Sequence, residues 1–154
     1  MKKKRLLLFV FVGLIIGFII INSNVSYAID SPKVNLDCNN ADNKTIECRV
    51  LLNTSGQKIA SINANYDFPK EVAFISFDNK DCSNSCFTKY GSTEEGFAYL
   101  NKDGVVGDNI LVGTLKLEKK TTFNNLAITL KDIELSDMNY KMISVRNVIS
   151  KISN

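Results

Sequence analysis

The chemistry open to this chain is limited first by what it lacks. Its 154 residues include no histidine and no tryptophan. Without an imidazole, Ser-His-Asp and Cys-His nucleophilic schemes are closed to it, and so are histidine-ligated metal sites. The four cysteines, Cys38, Cys48, Cys82 and Cys86, could form disulfides or could all ligate one zinc ion. Zinc ribbons usually carry two short Cys-x2–4-Cys knuckles. Here only Cys82 and Cys86 are that close, whereas nine residues separate Cys38 from Cys48. Disulfides are therefore expected. Three connectivities are possible, and the preferred one is Cys38–Cys48 with Cys82–Cys86, because each pair brackets a polar turn.

The remaining reactive groups are carboxylates and phenols. Glu94 with Asp103 could be read as a glycosidase pair, but Glu94-Glu95 is most simply a solvated run. A small domain leaves little scaffold for a substrate cleft. The stretches Asp37–Asn43 and Asp78–Asp81 hold oxygen donors for calcium, yet neither matches the EF-hand spacing. Asp and Asn are in any case ordinary turn residues. Sugar binding needs rings on one exposed platform. Most of the aromatic residues alternate with aliphatic ones as core residues do, so Tyr90, Tyr99 and Tyr140 are the candidate stacking rings. No enzymatic activity, cofactor or resident metal is expected.

The N-terminus fixes the expected compartment. Lys2–Arg5 is a basic run, Leu6–Ile21 is apolar apart from two glycines, and Ser26 and Ala28 stand where an export peptidase requires small residues. That order is a secretory signal with cleavage after Ala28. The rival reading is an uncleaved N-terminal anchor holding the domain against a membrane. Either way residues 29–154 form one extracytoplasmic domain, where disulfides persist. The net charge of +3 comes from 19 basic against 16 acidic residues, and the signal takes four of the basic ones. Residues 29–154 then carry 15 against 16, too balanced for a nucleic-acid footprint.

Those 126 residues suffice for a single core. Short apolar runs recur between Asn, Asp, Gly, Lys and Ser clusters. Strands are expected at Lys33–Leu36, Thr45–Leu52, Ile59–Asp67, Val72–Phe77, Cys86–Tyr90, Gly96–Asn101, Ile110–Leu117, Leu126–Leu135 and Met142–Ile149. Asn53–Gly56, Asn101–Gly104 and Asp137–Tyr140 read as turns. In Leu126–Asp137 the apolar phase moves from even positions (126, 128, 130) to odd ones (133, 135), which indicates a bulge or a strand that changes sheets. The fold class is all-β: an antiparallel β-sandwich of about nine strands with jelly-roll topology.

Three segments in this order resemble cohesin domains. They are Ile59–Asp67 followed by Pro69 and Val72; Phe97–Leu100 followed by Gly107–Glu118; and Asp132–Tyr140. Cohesins are nine-stranded jelly rolls, related in fold to bacterial carbohydrate-binding modules, and they bind dockerin modules to assemble polysaccharide-degrading enzymes. The resemblance implies a non-catalytic, extracellular, monomeric module with a dockerin-like protein partner. Alternation along Ile59–Asp67 puts Ala60, Ile62, Ala64 and Tyr66 on one face and Ser61, Asn63 and Asn65 on the other. By the resemblance, Ser61, Asn63 and Asn65 are the partner-binding residues. The alternatives are a carbohydrate-binding module that uses Tyr90, Tyr99 and Tyr140 against a polysaccharide, and a surface spacer with no ligand of its own.

Overall fold

The computed structural model describes residues 30–80 and 87–153. Ten strands follow one another: β1 (Lys33–Asn40), β2 (Thr45–Asn53), β3 (Ile59–Asp67), β4 (Val72–Asp78), β5 (Thr88–Ser92), β6 (Gly96–Val105), β7 (Ile110–Lys119), β8 (Asn125–Asp137), β9 (Met142–Val145) and β10 (Val148–Ser153). They form two antiparallel sheets. One has the order β1-β2-β7-β4, and the other β10-β8-β3-β6-β5, with β9 also beside β8. Alternating side chains from both sheets fill the space between them. Val34, Leu36, Ile46, Val50 and Leu117 come from the first sheet; Ile62, Phe97, Ile128, Leu130 and Leu135 come from the second. This is the jelly-roll sandwich expected from the sequence, with one strand more.

The extra strand has a local cause. Asp132 and Ile133 form a bulge in β8 opposite Ala64, because Asn63 pairs with Glu134 but Asn65 pairs with Lys131. Asp132 takes a left-handed conformation with φ 52°, a conformation that Asp tolerates better than most residues. The bulge returns Ile133 and Leu135 to the core after Leu130, which accounts for the phase change. On the other side of β8, Leu130 pairs with Val148 and Ile133 with Val145. Arg146 and Asn147 therefore face the bulge and leave the ladder, and Asn147 Oδ1 accepts from the Asp132 amide at 3.3 Å. The expected strand Met142–Ile149 is for this reason two strands, β9 and β10.

Asn101–Gly104 does not end a strand. The turn chemistry is present, with the Asp103 amide donating to Asn101 Oδ1 at 2.9 Å and Gly104 at φ 66°. It is spent on a wide bulge within β6, opposite Ala60, because Ser61 pairs with Leu100 and Ile59 with Val105. The same irregularity puts both Ile59 and Ile62 in the core and leaves Ala60 half-buried. The expected alternation thus holds only from Ile62 onward.

Cys38 and Cys48 lie directly opposite in the β1–β2 ladder and are joined by a disulfide, S–S 2.04 Å. The hairpin between them is set by Asp42, whose Oδ1 accepts from the Lys44 and Thr45 amides at 2.6 and 2.7 Å. Cys82, Cys86, the Leu6–Ile21 run and Ala28 lie outside the described residues. β1 also touches β10: the Cys38 amide donates to Ser150 Oγ at 3.3 Å, and Asn40 Nδ2 to the Ser153 carbonyl at 3.2 Å. This seam closes one side of the sandwich. On the other side the edge strands are β4 and β5. Each carries a register shift, between Phe74 and Ser76 in β4 and between Lys89 and Gly91 in β5.

Candidate functional site

β3 lies at the centre of the second sheet, so its solvent-facing side chains sit mid-face rather than at a rim. Ser61, Asn63 and Asn65 all project from that face, and β8 supplies a partner to each. The Ser61 and Ser136 hydroxyls are 2.6 Å apart. Asn63 Nδ2 donates to Glu134 Oε2 at 3.3 Å, and Asn65 Nδ2 to Asp132 Oδ2 at 3.1 Å. Farther along, Lys131 Nζ lies 3.8 Å from Asp67 Oδ2. The result is a cross-strand ladder that holds short polar side chains in fixed orientations. The carboxylates of Asp132 and Glu134 are exposed, and among the described residues neither is paired with a cation.

Sequence reasoning missed the β8 half of this ladder. The signal was there: once the phase change at residues 130–133 is read as a bulge, Asp132, Glu134 and Ser136 fall on the outer face beside Asn65, Asn63 and Ser61. The face continues through β6. The register places Met142, Ser136, Ser61 and Leu100 in one row across β9, β8, β3 and β6, followed by Ser144, Glu134, Asn63 and Ala98. Met142 and Leu100 are exposed. The first row thus has two apolar side chains flanking two hydroxyls.

The three candidate stacking tyrosines do not form a platform. Tyr99 is 0 % exposed, which corrects the expectation. It points inward from β6 and meets Phe77 edge-on with ring centroids 5.3 Å apart. Burial pushes its phenol up to about 12. Tyr66, also buried, packs against Phe68, Phe74, Phe77 and Phe97, and burial raises its pKa further. Neither hydroxyl has a hydrogen-bond partner among the described residues. Tyr90 and Tyr140 are 79 % and 87 % exposed, but they belong to opposite edges of the sheet. Tyr90 is on β5 and Tyr140 is in the β8–β9 turn, about 19 Å apart at the usual strand spacing.

Other candidate groups are also dispersed. Glu94 and Asp103 lie at opposite ends of β6, and Asp103 pairs with Lys102 at 2.7 Å. Asp42, in the first acidic loop, is engaged by backbone amides. The Lys44 amide contributes most, and together they hold its carboxyl below the usual range. Among the described residues no group of three or more His, Cys, Asp or Glu is placed to hold a metal ion. Two grooves flank the sheet. One, of about 540 Å³, lies between Pro32–Asn35 and Ser144–Val148. A shallower one of about 400 Å³ runs past Asn65, Asp67, Glu94, Glu95 and Lys131 at the far end of β3.

No family model matches the sequence, and a comparison with curated proteins finds no match. Solved structures do match in fold. The third ScaB cohesin of R. flavefaciens, solved in complex with a group 1 dockerin, superposes with a TM-score of 0.66 at 13% identity, over 82% of this chain and 96% of that one. A non-cellulosomal cohesin from the archaeon Archaeoglobus fulgidus gives 0.62 at 20% identity, over 81% and 93%. The cohesin module of a Clostridium perfringens family 33 glycoside hydrolase gives 0.63 at 4% identity, over 81% and 96%. The fold of this chain is cohesin-like.

Proposed function

We propose that this protein is a non-catalytic extracellular binding module that captures a dockerin-like protein partner on the outer face of its second sheet, through Ser61, Asn63 and Asn65. The observation that carries the reading is the ladder itself. Short polar side chains on the central strand are held in place by β8, on a fold shared with a cohesin solved in complex with a dockerin. Side chains already fixed by neighbours lose little rotamer freedom on binding. The N-terminal signal expected for residues 1–28 and the Cys38–Cys48 disulfide support export. A role in polysaccharide-related assemblies belongs to the same reading.

The test is a pull-down with the oxidised protein, run against the producing cell's secreted proteins and against insoluble polysaccharides in parallel. The expected result is saturable capture of a protein that is lost when Ser61, Asn63 and Asn65 are all replaced by alanine. Capture unaffected by the triple replacement would overturn the assignment of the face. Retention on a polysaccharide, released by soluble sugar, would move the function to carbohydrate binding. Silence in both arms would leave a spacer.

A further inference from the structure

The seam between β1 and β10 stops short of the end of the sandwich. Where it is shut the two strands run parallel: the Cys38 amide meets Ser150 Oγ, and Asn40 Nδ2 meets the Ser153 carbonyl. Followed back along the same course, residues 144–148 would lie beside Pro32–Leu36. They do not. At the β8 bulge Arg146 and Asn147 leave the ladder, and among the described residues β9 keeps to β8 alone. The groove of about 540 Å³ between Pro32–Asn35 and Ser144–Val148 is the strand position that this departure leaves unfilled.

The β1 edge that faces this groove is set up to pair. Along a strand, backbone N–H groups point alternately to its two sides. The Cys38 amide points to β10, so those of Leu36 and Val34 point the same way, away from β2. Among the described residues no strand pairs with that side of β1. Pro32 has no N–H to offer and ends the usable edge. The floor of the groove is apolar. Pro32 and Val34 are buried there, and Val145 and Val148 are half-buried against the core.

The rim is basic. Lys33 and Arg146 are exposed, no carboxylate lines the groove, and among the described residues neither cation is ion-paired. Glu134, opposite Ser144, and Asp132, beside Asn147, are instead engaged by Asn63 and Asn65 on the outer face of the second sheet. Strand addition draws affinity from main-chain hydrogen bonds and specificity from alternate side chains. A strand added here puts every second side chain on the apolar floor and turns the others outward, beside Lys33 and Arg146. Ser31–Asn35 spans about 13 Å, roughly four or five residues of extended chain. The geometry points to a second binding site, in which an extended acidic peptide segment of a partner protein adds to the β1 edge, apolar residues alternating with Asp or Glu. This site is separate from the Ser61 face and does not depend on it.

The experiment selects short linear peptides from a displayed random library against the purified, oxidised protein, and maps each binder by amide hydrogen exchange in NMR spectra. The expected binders alternate apolar residues with Asp or Glu, and they slow exchange at Val34 and Leu36. Lys33→Glu together with Arg146→Glu should weaken them about tenfold or more, most strongly at low salt. Both side chains are exposed, so an unchanged melting curve separates lost contact from lost fold. Recovery of no peptide overturns the inference, and so do binders that leave Val34 and Leu36 exchange unchanged or that ignore the charge reversals. Binders abolished by the Ser61, Asn63 and Asn65 replacements also overturn it, while leaving the protein-binding face in place. Val34 and Leu36 amides already protected in the protein alone would show the groove filled by this chain or by a second copy, and would overturn it too.

Discussion

At the scale of single residues, the two buried tyrosines carry the clearest consequences. Tyr66 and Tyr99 supply rings to the aromatic cluster, yet among the described residues their hydroxyls find no partner. A buried hydroxyl without a hydrogen bond costs stability that its phenyl counterpart does not. Tyr66→Phe and Tyr99→Phe should each raise the unfolding free energy by about 1 kcal/mol in urea titrations; a loss of that size in either would show that the hydroxyl is engaged. The same burial predicts an alkaline limit. Below pH 10 both folded and unfolded phenols keep their protons, so these groups give no pH dependence. Above it the unfolded state releases protons that the fold retains, because Tyr99 titrates only near 12 and Tyr66 higher still. Stability should fall by about 1.4 kcal/mol per pH unit for each phenol as the pH rises through that window. Phenolate absorbance recorded alongside unfolding would follow the loss, and the double phenylalanine variant should blunt it. Asp42 acts at the other extreme. Its lowered pKa gives the hairpin a contribution that is present above the ordinary carboxylate range and lost as the pH falls through the folded value.

Among the elements, the β8 bulge does most to shape the face. It keeps a thirteen-residue strand in phase with the core, breaks the neighbouring strand into β9 and β10, and delivers Asp132 to Asn65. Asp132→Val should cost about 1–3 kcal/mol, since a β-branched residue is strained at positive φ, whereas Asp132→Gly should be tolerated in the same denaturation series. Equal effects of the two would show that the side-chain contact, not the backbone, sets the bulge. Strand positions were largely legible in the sequence because alternation is a local signal: Ile59–Asp67 begins and ends where the pattern says it should. What the pattern could not give was pairing. Asn101–Gly104 reads as a terminal turn because its Asx and glycine chemistry is identical in a bulge, and only Ile59 and Ser61 across the ladder tell the two apart. Met142–Ile149 reads as one strand because its break at Arg146 and Asn147 is imposed from β8, by Asp132, which lies outside the segment. The candidate site was half legible for the same reason. Ser61, Asn63 and Asn65 follow from period two along one strand, but their partners at Ser136, Glu134 and Asp132 depend on a long-range register. Tyr99 failed as an exposed ring because an aromatic residue in an alternating strand is more readily core than surface.

Among the described residues the sandwich is seamed along β1 and β10, and its other edges are β4 and β5. Most of its core was visible as alternating apolar positions, while the order of strands within each sheet was not, since β3 between β8 and β6 is a purely non-local arrangement. The proposed division of labour is simple: the first sheet and the disulfide stabilise, and the outer face of the second sheet recognises. The open side has a consequence of its own. Free strand edges are templates on which a second copy can add, and growth by repetition gives fibrils. Both open edges here are bulged, and Ile75, half exposed at the β4 irregularity, is the residue left out of register. A bulge twists an edge away from flat pairing, so one unpaired residue on β4 works against polymerisation along that edge. Deleting Ile75 should straighten β4 and make concentrated protein assemble over time in light scattering, with thioflavin-positive aggregates; a variant that stayed monodisperse would place the protection elsewhere.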